Sequence, residues 1–269
     1  MLIGSSTGIG IQRQMGSISS GLRKNFERLS SGRRINRASD DAAGLAIAER
    51  LSAMVSGLSQ ADRNVADGVS LANVADGAMS SQGDSLIRMR ELAVQSANGT
   101  LSDSDRQALN SEFNALRDEV DRVSNTTEFN GTPLLQGNSI DMQAGTDGTA
   151  NSRITIDTAD TSAANLNIVG LDIGTQGGAQ TSIADIDAAI DQVNSSRGDI
   201  GATVNRLDAA RNNISTEIEN TTASLSRIQD LDVASESSDL ANNNVLMRAA
   251  LATMGHANNM KGMLVSKLL

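Results

Sequence analysis

The chain has 269 residues, 39% of them hydrophobic but only 1% aromatic, with three Phe, no Trp and no Tyr. Burial without aromatic rings rests on Leu, Ile, Val, Met and Ala spread along extended surfaces, which favours helical bundles over a globular core. No Cys and a single His exclude thiol nucleophiles, disulfides, clustered zinc sites and any histidine-bearing triad not built on His256, and a net charge of −10 argues against nucleic acid as the main partner.

The charge is uneven. Within residues 1–50, Arg13, Arg23, Lys24, Arg28, Arg33, Arg34, Arg37 and Arg50 stand against Glu27, Asp40, Asp41 and Glu49, so an acidic protein has a basic head. No apolar run approaches the ~20 residues that span a bilayer, and the N-terminus lacks the basic-then-apolar order of a cleavable secretory signal. The expectation is no membrane insertion, and export, if any, by another route.

At the N-terminus, Gly4-Ser5-Ser6-Thr7-Gly8-Ile9-Gly10 has the spacing of a dinucleotide-binding turn, whose glycines let a pyrophosphate approach a helix N-terminus. The context fails: Leu2-Ile3 is no buried strand, no strand-helix units follow, and the chain has no tyrosine to serve as proton donor. The segment reads as a flexible glycine-rich leader, and no cofactor is expected. Ile11, Met15, Ile18, Leu22, Phe26 and Leu29 then form a helical stripe. Asp40-Asp41 reads as helix capping rather than paired acid-base carboxylates, because chain neighbours point apart and negative charge is favoured at a helix start.

The only proline is Pro133, so long uninterrupted helices can precede it. From Leu51 the heptad step runs Leu58, Val65, Ala72, Met79, Leu86 and Ala93, with Met54, Ala61, Gly68, Ala75, Gln82 and Met89 as companions. The first series is wholly apolar; Gly and Gln weaken the second. This predicts a helix of roughly 50 residues, about 75 Å long, ending near Asn98-Gly99. Ser102, with Asp105 three residues on, opens a second helix that turns back on the first and buries Leu109, Phe113, Leu116, Val120 and Val123.

Thr, Gly, Asn and Asp accumulate in residues 126–180. Segments 141–145 and 153–157 alternate at period two around Thr146-Asp147-Gly148-Thr149, which reads as a β-hairpin at the far tip of the bundle. The loop to about Gly178 is too short and polar to be a further domain. Ser182 with Asp185 is expected to start another long helix, with Val193, Ile200, Leu207, Ile214, Thr221 and Ile228 as its heptad series and Val204, Ile218 and Leu225 beside it.

At the C-terminus, Leu246, Ala250, Ala257, Met260, Leu264 and Leu268 form a stripe broadened by Met247, Leu251 and Met254. Two apolar terminal helices can pair with each other, but that leaves much of the wide C-terminal arc exposed in a monomer, so self-assembly is the sharper reading over a fraying two-helix stalk. Met247 to Met263 read as adaptable packing groups, and His256, with no second ligand type nearby, as packed or solvated. The fold class expected is mainly α: a long coiled-coil-like bundle formed by both chain ends, with a small β-hairpin region, about 138–180, in the middle.

The stretch from Leu29 through Gly32-Arg33-Arg34-Ile35-Asn36-Arg37 and Asp40-Asp41-Ala42-Ala43-Gly44 to Ala48 resembles bacterial flagellin. So do the stretch from Arg88 to Thr100, Thr126-Thr127-Glu128-Phe129-Asn130-Gly131 and, at the C-terminus, Ala257-Asn258 and Leu268-Leu269. The resemblance implies that 1–42 and 231–269 form the helical inner tube of a filament and 43–230 an outer helical domain, with no room around 158–180 for the variable domains many members insert. It implies a structural, non-enzymatic subunit polymerising into the extracellular flagellar filament for swimming; the alternatives are a hook-filament junction protein or a minor filament subunit. The implied partners are further copies of the chain, a flagellar export chaperone and the type III export apparatus, hook-associated junction and cap proteins, and a vertebrate Toll-like receptor contacting Arg88, Leu92 and Glu112. The filament-assembly interface is expected at Ile11, Met15, Ile18, Leu22, Phe26, Leu29, Leu246, Met247, Leu251, Met254, Met260, Leu264 and Leu268.

Overall fold

The computed structural model describes the backbone of residues 3–268 and the side chains of residues 9–260 and 263. In chain order it runs α1 (Ile3–Ser31), α2 (Ala42–Ser96), α3 (Asp103–Thr126), β1 (Glu128–Phe129), β2 (Thr132–Pro133), β3 (Ser139–Gln143), a 3-10 turn (Ala150–Ser152), β4 (Arg153–Asp157), α4 (Gln176–Gln229) and α5 (Val233–Leu268). The chain forms two compact units, one from Met1–Val55 with Glu219–Leu269 and one from Ser56–Ile218. Both divisions fall inside helices, α2 and α4. The mainly helical class and the central hairpin agree with the sequence pattern.

The Ser56–Ile218 unit is organised by α2. The heptad residues Leu58, Val65, Ala72, Met79, Leu86 and Ala93 are buried, as are Ala61, Ala75, Gln82 and Met89 of the companion series; Val193, Ile200, Leu207 and Ile214 face them from α4. The two helices run antiparallel. Asp62 pairs with Arg211 at 3.1 Å, Asp76 with Arg197 at 2.8 Å and Arg90 with Asp187. On α2 these rungs stand two heptads apart, so they form a ladder along one edge of the seam. Each exposed pair contributes roughly 0–1 kcal/mol, but together they discriminate against a shifted register.

Helix α3 returns along α2, as its capping signature predicts. Ser102 and Asp105 cap each other's backbone N–H groups, and hydrogen bonding to Ser102 holds the Asp105 carboxyl below its ordinary pKa. Phe113 and Val120 are buried, with Leu109, Leu116 and Val123 packed at the margin. Arg106, itself buried, donates to Asn98 O at 2.8 Å and Leu101 O at 3.2 Å, which satisfies carbonyls where the chain leaves α2.

Four features differ from the sequence pattern. The hairpin pairs with Asp141 opposite Thr155, but it does not lie at the far tip. It docks beside Gly57–Gly68 of α2, where Asn64 Nδ2 donates to Gln143 O at 3.1 Å, whereas the opposite end of this unit is the Asn98–Leu101 turn. Gly68 explains the docking: a Cβ there would stand 3.1 Å from Met142 Cγ and 3.5 Å from Ile156 Cδ1. What reads as a weak seam position is the seat of the hairpin.

Next, α4 begins at Gln176 rather than after Ser182, which is buried inside it. Thr175 Oγ1 accepts from Gly178 N at 3.1 Å and serves as the cap. Gly177 and Gly178 lower the local propensity and disguise the first turn. The 158–175 loop is polar in composition yet turns Ala163, Leu166, Ile168 and Ile173 into the core, and Thr161 O and Val120 O both accept from the buried Gln82 amide. Finally, Gly4–Gly10 is no free leader but the opening of α1. Glycine costs a helix only about 1 kcal/mol per residue, which a long helix with no proline tolerates.

Phe113 is the largest fully buried side chain. Phe113→Ala is expected to destabilise the Ser56–Ile218 unit by about 3–5 kcal/mol, measured by urea denaturation followed by circular dichroism; a loss under 1 kcal/mol would contradict its place in the core.

Candidate assembly surface

The other unit is built from the chain ends. Helices α1 and α5 pair antiparallel. Arg28 Nη1 stands 3.4 Å from Glu236 Oε2, and a Cβ at Gly21 would lie 3.4 Å from Asn243 Nδ2. The inward face of α1 is a heptad, Ile11-Ile18-Asn25 alternating with Met15-Leu22-Leu29, in which Ile18 and Asn25 are buried and the apolar remainder half-buried. The facing positions on α5 are Glu236, Leu240, Asn243, Met247, Ala250, Met254 and Ala257.

One layer of this interface is polar. Asn25 is 6% exposed. Oriented by its hydrogen-bond partners, its amide nitrogen donates to Gly21 O at 2.8 Å and Glu236 Oε1 at 3.3 Å, and its oxygen accepts from Leu240 N at 3.0 Å and Asn243 Nδ2 at 3.3 Å. The sequence pattern, with Phe26 placed in the apolar stripe, missed this layer, although Asn25 stands at the heptad position that Ile11 and Ile18 fill.

The turns out of the helices are fastened to each other. Gly32, at φ +67°, ends α1, and its N–H donates to Arg28 O at 2.8 Å. Arg34 N then donates to Gln229 O at 2.7 Å and Leu231 N to Gly32 O at 3.1 Å, a single antiparallel bridge between the two connecting segments. Asp41 caps α2 through its Oδ1, which accepts from Gly44 N at 2.8 Å. Gly44 is required here, since a Cβ would collide with Asp41 and stand 2.8 Å from Ile35 Cδ1.

Asp40 does different work from its neighbour. Its Oδ1 meets Lys24 Nζ at 2.8 Å, and its Oδ2 accepts from Asn36 N and Arg37 N. The Lys24 bond, aided by the two backbone donors against the cost of burial, holds its pKa below the ordinary value. A depressed carboxylate pKa gives stability that is complete above the unfolded-state value and is lost as pH falls through the folded-state value.

The expected interface residues separate into two sets. Ile11, Met15, Ile18, Leu22, Leu29, Met247 and Met254 face the helix pair; Phe26 (58% exposed), Leu246 (49%), Leu251 (53%) and Met260 (59%) face away from it, joined by Ile9, Val233 and Val245. Sequence periodicity merged the sets because both faces of α5 are apolar. The side chains of Leu264 and Leu268 lie outside the described residues. His256 is exposed, and among the described residues no group of three His, Cys, Asp or Glu side chains is placed to hold a metal.

Of the three residues tied by resemblance to receptor contact, the structure joins two. Arg88 donates to Glu112 Oε1 at 2.8 Å and 3.1 Å across α2 and α3 and to Glu91 Oε2 at 3.0 Å. Bonding to Glu91 and Glu112 raises the Arg88 pKa. Leu92, 1% exposed, is a core residue and offers no surface.

The structure thus defines a class: an α-helical protein whose paired chain ends leave an apolar face exposed. Residues 8–140 match the bacterial flagellin N-terminal helical region and residues 183–268 the bacterial flagellin C-terminal helical region. The chain is 40% identical over 237 residues to a flagellin of Halalkalibacterium halodurans, with 87% of each chain covered. It is 38% identical over 263 residues to a flagellar filament 30.7 kDa core protein of Treponema maltophilum, covering 91% of this chain and 92% of that one. The crystal structure of Bacillus cereus flagellin aligns with a TM-score of 0.52 at 33% identity, across 61% of this chain and 94% of that one. The chain therefore belongs to the bacterial flagellin family; it is a structural subunit of a flagellar filament, a homopolymer, and not an enzyme.

Asp40 yields a pH test. Replacing Lys24 by Met lowers the melting temperature at neutral pH, and the gap to the parent closes as pH falls below about 4. Thermal melts of both chains across that range check it; a gap independent of pH would show that the ion pair does not stabilise the fold.

Proposed function

We propose that segments 1–42 and 231–269 line the inside of the filament, that 43–230 forms its outer helical layer, and that the outward set of terminal side chains is buried between copies. The observation that carries this reading is the exposed apolar face of α5, which one chain leaves uncovered. Burying a Leu or Met side chain stabilises by roughly 1.5–3 kcal/mol, so a few such contacts, repeated at each subunit, hold a long polymer together. In this reading the assembled filament is extracellular and drives swimming.

Before assembly the same face needs protection. An export chaperone holding α5 until the chain enters the type III export apparatus would supply it, with an amphipathic helix laid in an apolar groove as the mode of recognition. At the filament ends, hook-associated junction and cap proteins would meet the surfaces that subunits present to each other. A Toll-like receptor contact is assigned to the exposed Arg88–Glu112 pair, with Leu92 holding α2 in shape beneath it. Arg88→Ala is expected to cut the response of receptor-reporter cells to purified monomer at least several-fold; an undiminished response would remove the pair from that role.

Leu251→Asp tests assembly directly. It is expected to abolish filaments in ammonium sulfate, seen by negative-stain electron microscopy, while the Ser56–Ile218 unit keeps the parent's helical signal. Long filaments from this variant would refute burial of the outward face.

A further inference from the structure

We propose that Asn25, through its bonds to Asn243 and Glu236, holds the register along the α1–α5 pair beyond the Gly32–Leu231 bridge that fastens its end, because the apolar part of that interface does not define one. The α5 seam repeats every seven residues, with Met247 followed by Met254 and Ala250 by Ala257. On α1, Ile11 is followed by Ile18, and Leu22 by Leu29. A slide of one heptad therefore replaces Met by Met and Ala by Ala, and apolar burial, being non-directional, barely distinguishes the two states.

The polar layer does distinguish them. Moving α5 by one heptad, so that position 254 faces position 18, takes Glu236 away from Asn25, puts Asn243 in its place and Ala250 where Asn243 stood, and costs the buried amide one of its two side-chain partners. A buried Asn at one core position is a known device for specifying coiled-coil register. Gly21 is part of the arrangement, since its carbonyl accepts from the Asn25 amide at 2.8 Å. Arg28 and Glu236 add direction by pairing at one end of the layer.

Register matters beyond the pair. A one-heptad slide moves α5 about 10.5 Å along its axis, so Leu246 and Leu251 would shift by that distance against Phe26. A surface that other copies recognise as one patch would be cut in two. This last consequence rests on the assembly reading; the register key itself rests only on the geometry within one chain.

The natural absence of cysteine makes the test clean. One turn along from Gly21 and Asn243, the antiparallel register sets position 18 opposite position 247. In the full-length chain, Ile18→Cys with Met247→Cys therefore reports the native register, and Ile18→Cys with Met254→Cys a one-heptad slide. After oxidation the parent background should give the intramolecular disulfide in the first pair and little in the second. Adding Asn25→Leu and Asn243→Leu should raise the ratio of slid to native cross-link by about tenfold, the discrimination expected of one buried amide. An unchanged ratio overturns the proposal, and so does loss of both cross-links, because leucine keeps the seam apolar and the helices should remain paired. Filaments are scored separately. If the ratio shifts while assembly persists, the register key stands and its importance to assembly falls; if neither the ratio nor assembly changes, the key falls and the assembly reading is untouched.

Discussion

Everything in this protein depends on packing long antiparallel helices through seams of small and flexible apolar side chains. Such seams supply stability in proportion to buried area, but they carry little information about alignment. Alignment comes from sparse polar contacts set at intervals along them. In the Ser56–Ile218 unit these are the Asp62–Arg211, Asp76–Arg197 and Arg90–Asp187 rungs and the Gln82 amide, which reaches from the seam to two backbone carbonyls. Where the chain ends pair, the same office falls to the Asn25 layer.

The helical framework was readable because its signals are local. Heptad spacing named the buried seam of α2 from Leu58 to Ala93 and of α4 from Val193 to Ile214, though not exposed Met54 or the buried Leu71, Leu92, Ile186 and Ala189 beside it, and the Ser102–Asp105 pair marked the start of α3 to the residue. Signals that depend on a partner were not readable in this way. Gly68 looks like a flaw until Met142 and Ile156 lie against it. The polar composition of 158–175 hides four inward apolar side chains, since nothing in a short loop with no period says which way it faces. The small β1–β2 ladder escaped notice as well, although Asn130-Gly131, both at positive φ, is a strong turn signal.

On the terminal helices, the sequence pattern marked the apolar residues but not how they divide. A single apolar arc on α5 fits two partners, one within the chain and one beyond it, and only the placement of α1 separates Met247 and Met254 from Leu246, Leu251 and Met260. That breadth fits the proposed assembly. A helix enclosed on every side, as the proposed assembly would leave α5, cannot show the narrow stripe that betrays a helix packed on one side.

The scarcity of aromatic residues has a spectroscopic consequence. The three phenylalanines occupy three different settings: Phe26 projects outward from α1, Phe113 is sealed in the core under α3, and Phe129 lies half-covered on β1. With only three such rings in the chain, fluorine-labelled phenylalanine gives a spectrum of three resonances, one for each setting. The chain thus carries its own reporters: one for the exposed face of the terminal pair, one for the helical core and one for the small hairpin, readable at once in monomer and in polymer.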